Sequence, residues 1–237
     1  MNSKAFHTEL EQRGFAIVPQ LFDAARLHQL GDAINAVPSG VTVSARAGQR
    51  FGIRNLLSCV PSLAELLAEP AVRAIVESIV GPDARVTRSI FYDKPLRANW
   101  QVGWHQDTTI AVCARHEVPG FHGWSVKAGV VHTQPPAEVL ARVLTMRIHL
   151  DAADEHNGAL LVLPGSHRHG LLSEAAADEW VRRHEAVLCR VPVGGVLLMR
   201  PLLLHASAKS LQSTARRIVH LEWAGGALPG GLEWNAT

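Results

Sequence analysis

From Arg85 onward the chain is a succession of short apolar runs of strand length, each cut off by proline, glycine or a polar turn. That texture limits the fold more than any other feature. The runs are Val86 to Tyr92, Val143 to Leu150, Ala159 to Leu163, Ala186 to Val191, Val196 to Met199, Leu202 to Ser207 and Arg216 to Trp223. Aliphatic and β-branched residues in pieces this short suit a pleated surface, and neither a glycine-rich phosphate loop nor a regular alternation with long helices accompanies them. An antiparallel sandwich or jelly roll is expected, not a doubly wound parallel sheet. Before Gly81 the pattern differs. Gly14 to Pro19 reads as one strand, Asp23 as the cap of a helix running to about Asn35, and Ser62 to Leu67 and Ala71 to Val80 as helices closed by Gly81-Pro82.

The expected class is therefore mainly β with flanking helices (α+β). It forms a single domain over residues 1–237, with a mainly helical part at 1–84 and a jelly-roll core at 85–224. Thr108 to Pro136, punctuated by Pro119-Gly120, Gly123, Gly129 and Pro135-Pro136, reads as a long irregular lid loop. At 47% hydrophobic and 19% charged, the chain can bury one sizeable core. Lys+Arg 23 against Asp+Glu 21, with no basic stripe, argues against nucleic acid as a partner. No apolar run approaches a membrane span. The scattered Cys59, Cys113 and Cys189 read as thiols of a reducing compartment, so a cytoplasmic protein is expected.

The chemistry concentrates at Gly103-Trp104-His105-Gln106-Asp107. His105 and Asp107 are two apart, so on extended backbone both project to one face and can grip one metal ion. Downstream, Arg200 to Ser207 places His205 in an otherwise apolar strand. Two imidazoles and one carboxylate make the facial triad of non-haem Fe(II) oxygenases. The alternative is that each histidine is a hydrogen-bonded core residue. An oxygenase of this kind draws electrons for O₂ from a keto acid such as 2-oxoglutarate, whose far carboxylate needs a buried cation, best an arginine. Arg216 follows His205 by eleven residues. Period two puts Arg216, Ile218, His220 and Glu222 on one face and Arg217, Val219, Leu221 and Trp223 on the other. The more polar face selects Arg216, and Ser207, sharing a face with His205, can add a hydroxyl.

With these residues in hand, the sequence resembles the phytanoyl-CoA dioxygenase family of Fe(II)/2-oxoglutarate-dependent oxygenases. The likeness is carried by Trp104 to Asp107, Asn157 to His167, Gly194 to Ser207 and Arg216. The resemblance implies a double-stranded β-helix, a cupin-like jelly roll. It also implies His105, Asp107 and His205 as Fe(II) ligands, Arg216 with Ser207 on the 2-oxoglutarate C5 carboxylate, and O₂ as co-substrate. The retained Asp107 points to hydroxylation or desaturation, since halogenases of the superfamily lack that carboxylate.

Other residues are weighed against plainer readings. Arg147, in the alternating strand Leu144 to Leu150, either holds a substrate or co-substrate carboxylate or sits on a solvated edge. Lys94 either reaches 2-oxoglutarate or an acidic substrate, or is exposed. Trp104, Trp124 and His132 either touch substrate or serve the core and lid, and Gln106 points away from its neighbours toward supporting bonds. The substrate is expected to be a small molecule, with an acyl-CoA as runner-up, although no Lys/Arg patch suits a CoA tail. A cupin-type isomerase or hydrolase that makes no use of 2-oxoglutarate, and a non-catalytic binding jelly roll, are the rival functions.

Overall fold

The computed structural model describes residues 3–40, 42–46, 49–94, 101–211 and 216–235. The N-terminal part contains α1 (Ser3–Arg13), β1 (Phe15–Val18), α2 (Ala24–Asn35), β2 (Val43–Arg46) and β3 (Gln49–Arg54). Three more helices follow: α3 (Leu56–Cys59), α4 (Pro61–Leu67) and α5 (Pro70–Val80). Then come β4 (Arg85–Asp93), β5 (Val102–His105), β6 (Ile110–Val112), β7 (His122–Lys127), β8 (Val130–Gln134), α6 (Ala137–Leu140) and β9 (Leu144–His149). The chain closes with β10 (Leu160–Val162), α7 (Glu174–Arg183), β11 (Val187–Cys189), β12 (Val196–Met199), β13 (His205–Ser207) and β14 (Arg217–Ala224). Asp23 caps α2 as expected, its Oδ1 accepting from Arg26 N–H at 2.8 Å. Proline opens α4 and α5, and Gly81, at φ +99°, ends α5.

The major sheet has the order β1-β12-β9-β14-β4-β3-β2, and a four-stranded sheet β11-β10-β13-β5 lies opposite it. Strand alternation decides what each face does. From β14, Val219, Leu221 and Trp223 join Met146, Ile148, Leu198 and the apolar stripes of the helices (Leu27, Leu30, Ile34, Leu63, Ile75, Val76) in the outer core. The opposite faces meet between the sheets, where Phe15, Leu197, Met199, Leu160, Val162 and Leu203 pack at one end. The other end of that space stays open and becomes the site. Each fully buried aliphatic side chain contributes about 1.5–3 kcal/mol, which sets the register of these strands firmly.

Two expectations need correction. Thr108 to Pro136 is not irregular: β6, β8 and β7 form a three-stranded antiparallel sheet. Its hairpin turns at Ala128-Gly129, with φ +50° and +82°. Two successive positive φ values give a tight primed turn, and Ala-Gly lacks the asparagine or aspartate that usually announces one. The Leu144 to His149 strand is also no edge, because β9 pairs with β12 and β14 and every residue in it is buried. Among the described residues no helix is long and apolar enough to cross a membrane.

Candidate active site

The small sheet carries the metal-binding candidates. β13 pairs with β5 so that His205 stands directly opposite His105, and the two imidazole centroids are 4.1 Å apart. Asp107, just past β5, is fixed by its own N–H donating to Pro201 O at 2.9 Å, and its Oδ2 lies 3.7 Å from His205 Nε2. The candidate donor atoms of His105, Asp107 and His205 all fall within 4.8 Å of one another. Each histidine has its Nδ1 2.8 Å from a carbonyl two residues back, Gly103 O for His105 and Leu203 O for His205. With the proton on Nδ1 donated there, both rings offer a bare Nε2 to a metal.

Charge states agree with that role. Burial drives the His205 pKa down to about 4, against the pull of Asp107. Burial alone would raise Asp107, yet His205, His220, Arg88 and His105 outweigh it and hold the carboxyl at about 2. A neutral imidazole and an ionised carboxylate therefore face each other at neutral pH.

The triad forms one wall of a cavity of about 200 Å³ whose other walls include Arg88, Tyr92, Arg147, Ser207, Arg216 and His220. Asp107 is the sole carboxylate among its lining residues. Arg216 is 5% exposed and its buried Nε has no hydrogen-bond partner. Burial, with Arg147 adding to it, lowers its pKa to about 9. Arg147 is likewise buried with an orphaned Nε. Lys94 is buried, its Nζ donating to Ala208 O at 2.6 Å and lying 3.4 Å from Ser207 Oγ. Burial, Arg216 and Arg147 bring it down to about 7. The orphaned Nε groups of the buried Arg216 and Arg147 are costly unless an anion completes them, so this end of the cavity is built for a carboxylate. The donor set and these orphaned guanidinium groups fit a metal and a dicarboxylate together.

Gln106, between two of the metal-binding candidates, points away from the cavity. Its Nε2 donates to Gly170 O at 2.9 Å and Leu202 O at 2.7 Å, and its Oε1 accepts from Leu172 N–H at 2.9 Å. It thus ties β5 to the loop before α7. Trp104, Trp124 and His132 are not among the residues that wall the cavity. Trp104 alternates with His105 on β5, Trp124 packs on the β6–β8 cluster beneath the Arg115 guanidinium, and His132 is buried with Nδ1 3.0 Å from Val130 O. Sequence reasoning missed Arg88, whose Nη2 is 2.7 Å from Glu222 Oε1 and donates to Thr109 O at 2.5 Å. The alternation of Arg88, Ile90 and Tyr92 along β4 carried that signal.

The profile of the family described as phytanoyl-CoA dioxygenase (PhyH) matches residues 10–218. The chain belongs to this family. Curated relatives include the ectoine dioxygenase of Stutzerimonas stutzeri (strain A1501), 25% identical over 179 residues, a match covering 71% of this chain. The chain spans about half (52%) of that relative's length. The ectoine dioxygenase of Sphingopyxis alaskensis is 24% identical over 227 residues, covering 83% of this chain and 67% of the relative. Among solved structures, EctD from S. alaskensis with 2-oxoglutarate and 5-hydroxyectoine superposes with a TM-score of 0.73 at 20% identity, over 95% of this chain and 76% of that one. The non-haem α-ketoglutarate-dependent epimerase SnoN from nogalamycin biosynthesis gives 0.68 at 13% identity, over 99% and 95%. These likenesses show that this phytanoyl-CoA dioxygenase family member has the jelly-roll fold of such enzymes.

Proposed function

We propose that the protein is an Fe(II)- and 2-oxoglutarate-dependent oxygenase that hydroxylates or desaturates a C–H bond of a small molecule. The observation that carries this reading is the meeting, in one cavity, of His105, Asp107 and His205 with the unpartnered guanidinium of Arg216. His105 and His205 would hold iron through Nε2 and Asp107 through its carboxylate. Arg216, with Ser207, would take the far carboxylate of 2-oxoglutarate, while Lys94 and Arg147 add positive charge beside it. Iron, 2-oxoglutarate and O₂ together supply the oxidising equivalent that attacks the C–H bond, with release of succinate and CO₂. The protein fixes the ligands' tautomers, orients the co-substrate and limits water with Val102, Leu160 and Ile218. The relatives' names and the small cavity support a compact metabolite as substrate in preference to an acyl-CoA.

Anaerobic titration of the protein with Fe(II) and then 2-oxoglutarate tests the reading through the visible metal-to-ligand charge-transfer band. A band that forms in the wild type and is lost in His105→Ala supports it; no band in either overturns it. An isomerase or hydrolase of the same fold has no use for a buried Arg216, so full retention of activity in Arg216→Ala would favour that rival.

A further inference from the structure

The Arg216 end of the cavity accounts for the co-substrate, but a second group of cations stands on the Arg88 side. β3 pairs with β4 so that Arg54 lies opposite Ile90, on the face shared with Arg88 and the cavity-lining Tyr92. The β7–β8 hairpin folds onto the same place: Asn55, next to Arg54, donates from Nδ2 to Ala128 O at 3.0 Å, beside Lys127. Lys127 feels the charges of Arg88, Arg54, Glu222 and Asp107, and Arg54 acts electrostatically on Tyr92.

Among the described residues no carboxylate pairs with Arg54 or Lys127. Glu222 is committed to Arg88 at 2.7 Å, and Asp107 faces the two histidines. The sequence offers no other source nearby. No Asp or Glu occurs between Asp32 and Glu65, which spans the β2–β3 hairpin, or between Glu117 and Glu138, which spans the β7–β8 hairpin. Glu117 itself is paired with Arg115 at 2.8 Å. Two cations from different strands, lying near the cavity-lining Arg88 and Tyr92 and without an ion-pair partner among the described residues, attract and hold a ligand anion.

Resting on the oxygenase reading, we propose that Arg54 and Lys127 form the recognition end of the substrate site, and that the molecule oxidised is a small acid. Its carboxylate or phosphate group is held by these two side chains, with the rest of the molecule turned toward Asp107.

The test uses the full chain loaded with Mn(II) and 2-oxoglutarate. Inorganic phosphate and [1-13C]acetate serve as probes, and paramagnetic relaxation of their 31P and 13C nuclei is the readout. At least one anion is expected to relax faster than in Mn(II)/2-oxoglutarate solution without protein. The enhancement should fall at least five-fold in Arg54→Gln/Lys127→Gln and persist in the charge-conserving Arg54→Lys/Lys127→Arg; the more strongly relaxed probe identifies the headgroup. Absence of any enhancement, or equal enhancement in the glutamine variant, overturns the assignment. The Mn(II) electron paramagnetic resonance spectrum separates the two readings. If the metal binds and its spectrum responds to 2-oxoglutarate while no anion effect appears, only the rim assignment fails. If neither binds, the oxygenase reading fails.

Discussion

Replacing Arg216 with methionine should stabilise the empty protein and weaken its response to 2-oxoglutarate, two effects of opposite sign from one change. The lowering of its pKa to about 9, at about 1.4 kcal/mol per decade of proton affinity, puts an upper limit of about 5 kcal/mol on the cost of burying this cation. Because about 9 still lies above neutrality, the group remains charged and that cost is present at every pH below it. Methionine fills a similar volume without charge, and if it recovers about 2 kcal/mol, melting should rise by about 4–8 °C for a chain of this size. A charge-assisted pair with a carboxylate is worth about 1.5–3 kcal/mol, so 2-oxoglutarate affinity should fall about 10- to 150-fold. In the wild type, 2-oxoglutarate at a hundredfold excess over Kd should add about 2.7 kcal/mol of stability, and at the same concentration the variant should gain only about 0.3–1.4 kcal/mol. Calorimetry of both proteins with Mn(II), with and without 2-oxoglutarate, measures both effects. A variant that melts lower than the wild type when empty yet keeps the full 2-oxoglutarate shift would overturn both the burial cost and the carboxylate contact assigned to Arg216.

Three further outcomes follow from the geometry. Gln106→Leu should orphan three backbone groups, costing about 3 kcal/mol in urea unfolding, and weaken Fe(II) binding about 10- to 100-fold by loosening the Asp107 segment; unchanged metal affinity in a chelator competition would contradict it. Lys94, near 7 when folded and about 10.4 when unfolded, carries a proton only in the unfolded chain between those values. Stability of the empty protein should therefore rise with pH across that window, and Lys94→Met should flatten the rise; parallel unfolding profiles for the two proteins would dismiss the effect. Gly194, at φ +77°, would drive an added Cβ into the Phe22 carbonyl oxygen, so Gly194→Ala should lose about 2–5 kcal/mol, and a melting temperature equal to that of the wild type would show the turn to be more pliable than described.

Much of the architecture was legible because burial imposes periodicity on sequence. Every apolar run read as a strand after Arg85 lies on a strand, with ends shifted by a residue or a few. The period-two split of β14 correctly separated Arg216, Ile218 and His220, which line the cavity, from Val219, Leu221 and Trp223 in the outer core. Helices α1 and α7 were not recognised: α7 packs only a half-buried stripe of small and aromatic residues (Ala176, Ala177, Trp180, Val181) amid charged ones, and α1 combines a polar sequence with Leu10 as an anchor, so neither shows a run of large aliphatic residues. The β6–β8 sheet escaped because its turn is Ala128-Gly129 and its strands are short and mixed.

His105, Asp107, His205 and Arg216 could be named from residue type, spacing and strand parity, since those local properties decide which side chains share a face. Which of the remaining polar groups meet them was settled only by tertiary structure. Strand order made β9 a buried central strand and turned Arg147 inward. Sheet-on-sheet packing enclosed Lys94, pairing of β14 with β4 within the major sheet set Glu222 opposite Arg88, and the folded hairpin brought Lys127 to the side of Arg54. Charge balance in a cavity depends on distances between strands far apart in the chain, and no local periodicity encodes those.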